Sequence, residues 1–186
     1  MTRAVMTPRS LSLIAALVFS FSLSAQSTRN ELGASIGYAD MPGFGDAGTF
    51  SLTYNRFWTG NLSSQLGLTS YAADLHVVDG PSAGELQMGA LTGEVQYHFW
   101  RDRRLSPYVG GGVAFVTSQL ADTPAGDIEA DNEITGVASA GVNLNLGRRW
   151  AINGDVTYMP YDADFPPVAT IDMDPLTISA GVRFRW

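Results

Sequence analysis

Residues 176–186 alternate apolar and polar without a break. Leu176, Ile178, Ala180, Val182, Phe184 and Trp186 fall on one face of an extended strand, and Thr177, Ser179, Gly181, Arg183 and Arg185 on the other. A strand with one apolar face and two arginines on the opposite one suits a wall with lipid outside and water inside. The pattern recurs along the chain and predicts eight strands, at 29–39, 49–57, 62–71, 86–99, 108–116, 133–146, 151–159 and 176–186. In the first, Leu32, Ala34, Ile36 and Tyr38 oppose Glu31, Gly33, Ser35 and Gly37. In the seventh, Ile152, Val156 and Tyr158 oppose Asn153, Asp155 and Thr157. The connections alternate, long at 41–48, 72–85, 117–132 and 160–175, and short at 58–61, 100–106 and 147–150. Short turns at one end and long loops at the other mark an outer-membrane barrel.

The N-terminus agrees on the compartment. Arg3 and Arg9 precede an apolar stretch over 11–23, and the small residues Ser24 and Ala25 follow. This predicts a secretory signal peptide at 1–25, cleaved after Ala25, ahead of one barrel domain at 26–186. As a membrane anchor the stretch is short and serine-rich, since a spanning helix needs about 18 or more apolar residues. Only helices and closed barrels satisfy every backbone group in lipid, so a membrane form of this chain must be a closed barrel. The fold class expected is therefore all-β, an up-and-down antiparallel transmembrane barrel.

Composition narrows the chemistry. The chain has no cysteine, so neither disulfides nor cysteine metal sites hold it together. Its formal charge of −7 argues against nucleic acid as a partner. Every cationic side chain is arginine, and Arg56, Arg101, Arg103, Arg104, Arg148 and Arg149 all lie at short turns beside Phe57, Trp58, Phe99, Trp100, Trp150 and Trp186. That grouping predicts a periplasmic aromatic girdle with a basic rim. Acids gather in the long loops, including Asp127, Glu129, Asp131 and Asp162, Asp164, Asp172, Asp174. Divalent cations bridging to lipopolysaccharide could use them, but no spacing matches a calcium loop and a solvated loop accounts for them better, so no metal site is assigned.

Enzyme readings need a nucleophile and base within hydrogen-bond reach. The histidines are His76, in a long loop near Asp74, Asp79 and Ser82, and His98, at the periplasmic end of the fourth strand beside Glu94 and Gln96. Nothing else marks an oxyanion site, so His76 reads as a solvated loop residue and His98 as part of a structural network. No catalytic residue and no cofactor is expected.

Several blocks together resemble a known family. Ser51-Leu-Thr-Tyr54 leads to Gly60-Asn61-Leu62, and residues 91–99 run through a short turn into Pro107-Tyr-Val-Gly-Gly-Gly-Val-Ala-Phe115. Ala140-Gly-Val-Asn143 is followed by Trp150, and Asp172-Met-Asp-Pro175 opens the last strand. In these the chain resembles the outer membrane protein W (OmpW) family, eight-stranded barrels associated with passage of small hydrophobic molecules. Where that family often carries a proline pair at the start of strand four, this chain has Met88-Gly89-Ala90. The terminal aromatics, Phe184 and Trp186, resemble the C-terminal signal read by the barrel assembly machinery, which usually ends in Phe.

By strand parity, Glu31, Glu94, His98, Asp155, Arg183 and Arg185 point inward near the periplasmic end, and charges in a narrow lumen need partners. We expect a polar plug closed to bulk flow, with an ion pair from Arg183 or Arg185 to Asp155 or Glu31. Toward the long loops the inward register turns apolar at Tyr71, Leu86, Met88, Val116, Val137 and Met159, unless a β-bulge, most readily in the fourth strand, turns one outward. These predict an apolar pocket above the plug for a small hydrophobic molecule, released sideways into an outer membrane of lipid and lipopolysaccharide. Structural filling of a tight barrel is the plainer account. The alternative is an OmpX-like or opacity-type surface protein acting through its loops. A soluble lipocalin-like carrier would reverse the polarity, apolar within and polar without.

Overall fold

Alternation at period two is what the chain folds on. The computed structural model describes residues 30–42, 45–76, 82–121, 128–129, 132–165, 169–172 and 174–186. The segment expected to be the signal peptide lies outside them. The strands are β1 (Asn30–Met41), β2 (Gly45–Phe57), β3 (Leu62–His76), β4 (Ser82–His98), β5 (Leu105–Ala121), β6 (Ile128–Glu129), β7 (Glu133–Asn145), β8 (Trp150–Tyr158), β9 (Asp162–Phe165), β10 (Ala169–Asp172) and β11 (Leu176–Arg185). Each of the eight predicted strands is present. The order β4-β3-β2-β1-β11-β8-β7-β5, with β4 also paired to β5, closes an eight-stranded antiparallel barrel.

The faces sort as the pattern requires. Ile36, Phe50, Leu68, Val95, Val113, Ile134, Ile152 and Ile178 stand exposed on the outside. In solution so large an apolar belt would drive association, and in a bilayer it is the lipid-facing surface. No helix among the described residues is long and apolar enough to cross a membrane.

Two expectations are corrected. The segments at 41–48, 72–85, 117–132 and 160–175 are less open than long loops, because the ladders continue into them. Met41 pairs with Gly45, His76 with Ser82, and β9 with β10 in a separate hairpin. Alternation fades there because residues at the outer interface and beyond it need no apolar outer face. Phe57 does not join the girdle: it is buried in the lumen, with the Arg101 guanidinium 3.5 Å over its ring. It shares parity with Asn55 and faces the same way. Trp58, Phe99, Trp100 and Trp150 remain outside, and Trp150 and Trp186 flank the Phe184 ring at 5.0 and 6.0 Å.

The wall is of unequal height. β3, β4 and β5 run 15, 17 and 17 residues, whereas β8 and β11 run 9 and 10. The β3–β4 ladder is continuous from Leu62↔Tyr97 to Leu75↔Gly84 and shifts only between Leu75 and His76. No bulge therefore turns Met88 outward.

Candidate functional site: a layered lumen

Three layers fill the barrel. The periplasmic layer centres on Glu31, which is fully buried. Its carboxylate lies 2.7 Å from Arg185 Nε, 3.8 Å from Arg183 Nη1 and 3.9 Å from Arg101 Nη2. The pairing of β1 with β11 puts Glu31 opposite Arg185, so register alone brings these charges together. Arg101 comes from the β4–β5 turn, where position rather than periodicity decides direction; burial lowers its pKa, and Glu31 partly offsets this. The buried carboxylate is tolerable because guanidiniums surround it, and the positive charge in excess of it is met by neutral acceptors, Tyr108 for Arg183 and Asn145 for Arg185.

Around this cluster the polar groups interlock. Arg183 Nη2 donates to the Tyr108 hydroxyl at 3.1 Å, and Arg185 Nη1 donates to Asn145 Oδ1 at 2.6 Å. The His98 ring stacks on Tyr108 and its Nε2 meets Ser63 Oγ at 3.1 Å. Glu94 accepts from Ser139 at 2.5 Å and from Gln65 Nε2 at 3.4 Å, while Asn55 Nδ2 donates to Gln65 Oε1 at 2.9 Å. Two inner glycines make room for this packing. A Cβ at Gly110 would stand 2.7 Å from Ser139 Oγ and 3.0 Å from Glu94 Oε2, and one at Gly141 would stand 2.6 Å from the Tyr108 hydroxyl. Asp155 sits higher and pairs with neither arginine. Its oxygens accept from Ser179 at 2.5 Å, Thr157 at 3.3 Å and Asn153 at 3.4 Å.

The middle layer is hydroxyl-rich. Ser35, Ser51, Thr53, Thr69, Thr92, Thr157, Thr177 and Ser179 line a lumen cavity of about 40 Å³. Tyr71, Val137 and Met159 border it toward the outer end, and Glu94 and Arg183 toward the plug. That volume suits a few waters rather than a hydrocarbon.

The outer layer is apolar and closely packed. Tyr71, Met88, Val116, Val137 and Met159 are all buried there, in one cluster with Met41, Tyr161 and the small residues Ala39, Ala47, Ala73, Ala90 and Ala114. Leu86 pairs with Ala73 in the ladder, but its side chain lies outside the described residues. Sequence reasoning missed Met41 and Tyr161, because both fall in segments read as loops. Ala39, Ala90 and Ala114 carried a readable signal, an inward parity, but are too small to stand out, and Ala47 and Ala73 also fall in segments read as loops. Tyr161 reaches across the lumen, its hydroxyl 2.8 Å from Ser118 Oγ on β5. His76 and Ser82 oppose each other in the β3–β4 ladder, with side chains outside the described residues. Among the described residues no group of three or more acids or histidines could hold a metal.

Comparison with known proteins agrees with this architecture. Residues 11–185 match the family described as outer membrane protein beta-barrel domain. The chain is 31% identical over 108 residues to outer membrane protein AlkL of Ectopseudomonas oleovorans, a match covering 54% of this chain and 47% of that protein. The chain thus spans about half the length of that curated relative. Among solved structures it is similar to the outer membrane protein OprG of Pseudomonas aeruginosa, with TM-score 0.67, 14% identity, and coverage of 88% of this chain and 99% of that one. It is similar also to Neisserial surface protein A, with TM-score 0.66, 14% identity and coverage of 84% and 96%. The E. coli outer membrane protein W gives TM-score 0.54 and 13% identity, covering 88% and 100%. With its apolar belt, closed antiparallel wall and charged periplasmic plug, the chain belongs to the outer membrane protein beta-barrel domain family, a barrel of the outer membrane of a Gram-negative bacterium.

Proposed function

We propose that this barrel binds small hydrophobic molecules at its outer end and passes them sideways into the membrane. The observation that carries the reading is the division of the lumen, apolar at Tyr71, Met88, Val116, Val137 and Met159 and charged from Glu94 down to Glu31. A hydrophobic molecule entering from outside gains by burial among the first group, at roughly 25 cal/mol per Å². It meets desolvation costs at the second, so the way down is closed to it. Met41, Met88 and Met159 are adaptable side chains that re-pack around different shapes, which favours broad rather than sharp selectivity. The layer is filled in the state described, so a ligand enters by displacing side chains. Lipid and lipopolysaccharide surround the barrel, and Phe184 with Trp186 is its signal to the assembly machinery.

Binding of an apolar fluorescent probe to the refolded barrel tests the reading. Val137→Asp and Met88→Asp variants that still run as heat-modifiable barrels on gels should lose most of that binding. Unchanged binding in both would transfer the working role to the extracellular loops, as in a surface protein without transport.

A further inference from the structure

The ladder between β7 and β8 stops early. It runs from Asn145↔Ala151 up to Ala138↔Tyr158 and ends, although β7 continues to Glu133. Above Ala138, residues Glu133–Val137 pair with β5 on one side and have no ladder on the β8 side among the described residues. That is about 16 Å of strand edge at roughly 3.3 Å per residue. The cause lies in the sequence. Continuing the register places Gly136 beside Pro160, which has no N–H to give, and the next residue, Tyr161, turns into the lumen. One side-chain bond, from the Thr135 hydroxyl to the Pro160 carbonyl, spans the gap.

The opening is backed by the apolar layer. Val137, Met159 and Tyr161 are the buried residues immediately inside it. On the lipid side Ile134 is 73% exposed, and a Cβ at Gly136 would meet nothing within 4 Å. Tyr161 fills the inner end and is held toward both β5 and Asp174. Its hydroxyl meets Ser118 Oγ at 2.8 Å, and its N–H donates to Asp174 Oδ1 at 3.2 Å. Asp174 also accepts from the Tyr158 hydroxyl at 3.3 Å, so one carboxylate clasps both sides of Pro160. Its backbone stands at φ 29°, in the left-handed region that few residues other than Gly, Asn and Asp occupy readily. By contrast the β3–β4 wall, with Met88-Gly89-Ala90 in place of prolines, is hydrogen-bonded along its length.

We propose that the lateral exit of this barrel is the β7–β8 seam at Gly136 and Pro160, with Tyr161 as its gate. This rests on the hydrophobic-ligand reading above. Swinging Tyr161 off Ser118 joins the apolar layer to the gap above Ala138, and a bound molecule leaves between strands without breaking any ladder bond. Tyr161 and Asp174 govern how fast it leaves.

The cysteine-free chain allows the seam to be clamped. A Gly136→Cys, Pro160→Cys pair, bridged by a short dithiol-reactive linker that reducing agent cleaves, is compared with its own unbridged form, since replacing Pro160 returns an N–H to the seam, and with Leu68→Cys, Leu91→Cys, residues that face each other across β3–β4. The readout is release of a preloaded apolar probe from refolded barrel into lipid vesicles, with amide exchange measured in parallel. Clamping 136–160 should slow release about tenfold, with reduction restoring it, while the 68–91 clamp leaves release unchanged. Tyr161→Ala should speed it by a similar factor, and the amides of Ile134 and Gly136, which point to the β8 side of the strand, should exchange far faster than those of 91–93, while Thr135 and Val137 stay protected by their pairing with β5. Slowing by the 68–91 clamp alone, unimpeded release under the 136–160 clamp, or protected amides at Ile134 and Gly136 would overturn the exit while leaving probe binding intact. Absence of probe binding in every form would overturn the hydrophobic-ligand reading itself, and the exit with it.

Discussion

Arg183 on the last strand and Tyr108 on the fifth sit 75 residues apart in sequence and join across the lumen, guanidinium N–H to phenol oxygen at 3.1 Å with the cation 5.0 Å from the ring centre. The pair ties opposite walls of the barrel together in the plug. Tyr108→Phe keeps the ring and its stacking on His98 but removes the acceptor, leaving a buried guanidinium donor without it. The expected loss is about 1.5–3 kcal/mol, read as a lower urea midpoint for unfolding from detergent micelles. A midpoint equal to the parent's would mean that the hydroxyl contributes nothing beyond the ring.

Glu31→Gln removes the one carboxylate among three arginines. Breaking a buried ion pair from one side costs about 3–5 kcal/mol, so this variant should be among the least stable single substitutions that still assemble. Adding Arg185→Met should recover part of the loss. In planar bilayers the parent should show no large, stable ion currents, since the plug fills the lumen.

Two glycines offer a matched comparison. Gly110→Ala drives a methyl into Ser139, Gln96 and Glu94 and should cost about 1–3 kcal/mol as overpacking. Gly136→Ala meets open space and should fall within about 0.5 kcal/mol of the parent. Equal effects would show that the inner wall of β5 yields more readily than its contacts indicate.

On the outer wall, Leu68→Arg, midway along β3, should destabilise by about 2–4 kcal/mol, and Leu62→Arg, at the periplasmic rim, by about 0–1. Refolding yields into lipid vesicles at graded urea would check the ordering. An inverted order would place the bilayer centre away from Leu68.

How much of this was legible in the sequence follows from where a period of two applies. Through the bilayer every residue answers to lipid or lumen, so Glu31, Glu94 and Arg183 could be placed inward by parity, and their mutual approach followed from strand order. Phe57 was equally legible by parity, but its neighbours Trp58 and Arg56 at the turn suggested a girdle instead. From the outer interface onward the outer face has little reason to be apolar, and the signal vanishes. Met41 and Tyr161 were hidden for that reason, as was the continuation of β1, β2 and β5. Arg101 sits in a turn, where no period exists and only the finished barrel shows which way it bends.

The charged cluster at the base draws its members from widely separated parts of the chain: Glu31 from β1, Arg183 and Arg185 from β11, and Arg101 from the hairpin between β4 and β5. None of these pairings exists in a sheet that has not yet curled round to meet its own first strand. An incompletely rolled sheet would present an unmatched carboxylate on one free edge and two unmatched arginines on the other, both facing hydrocarbon. Partial insertion is therefore penalised at the two edges that must find each other, and joining them removes the penalty in one step. The same side chains that seal the finished lumen make circular closure an all-or-none event, so that arrested, half-rolled forms are poor competitors during assembly.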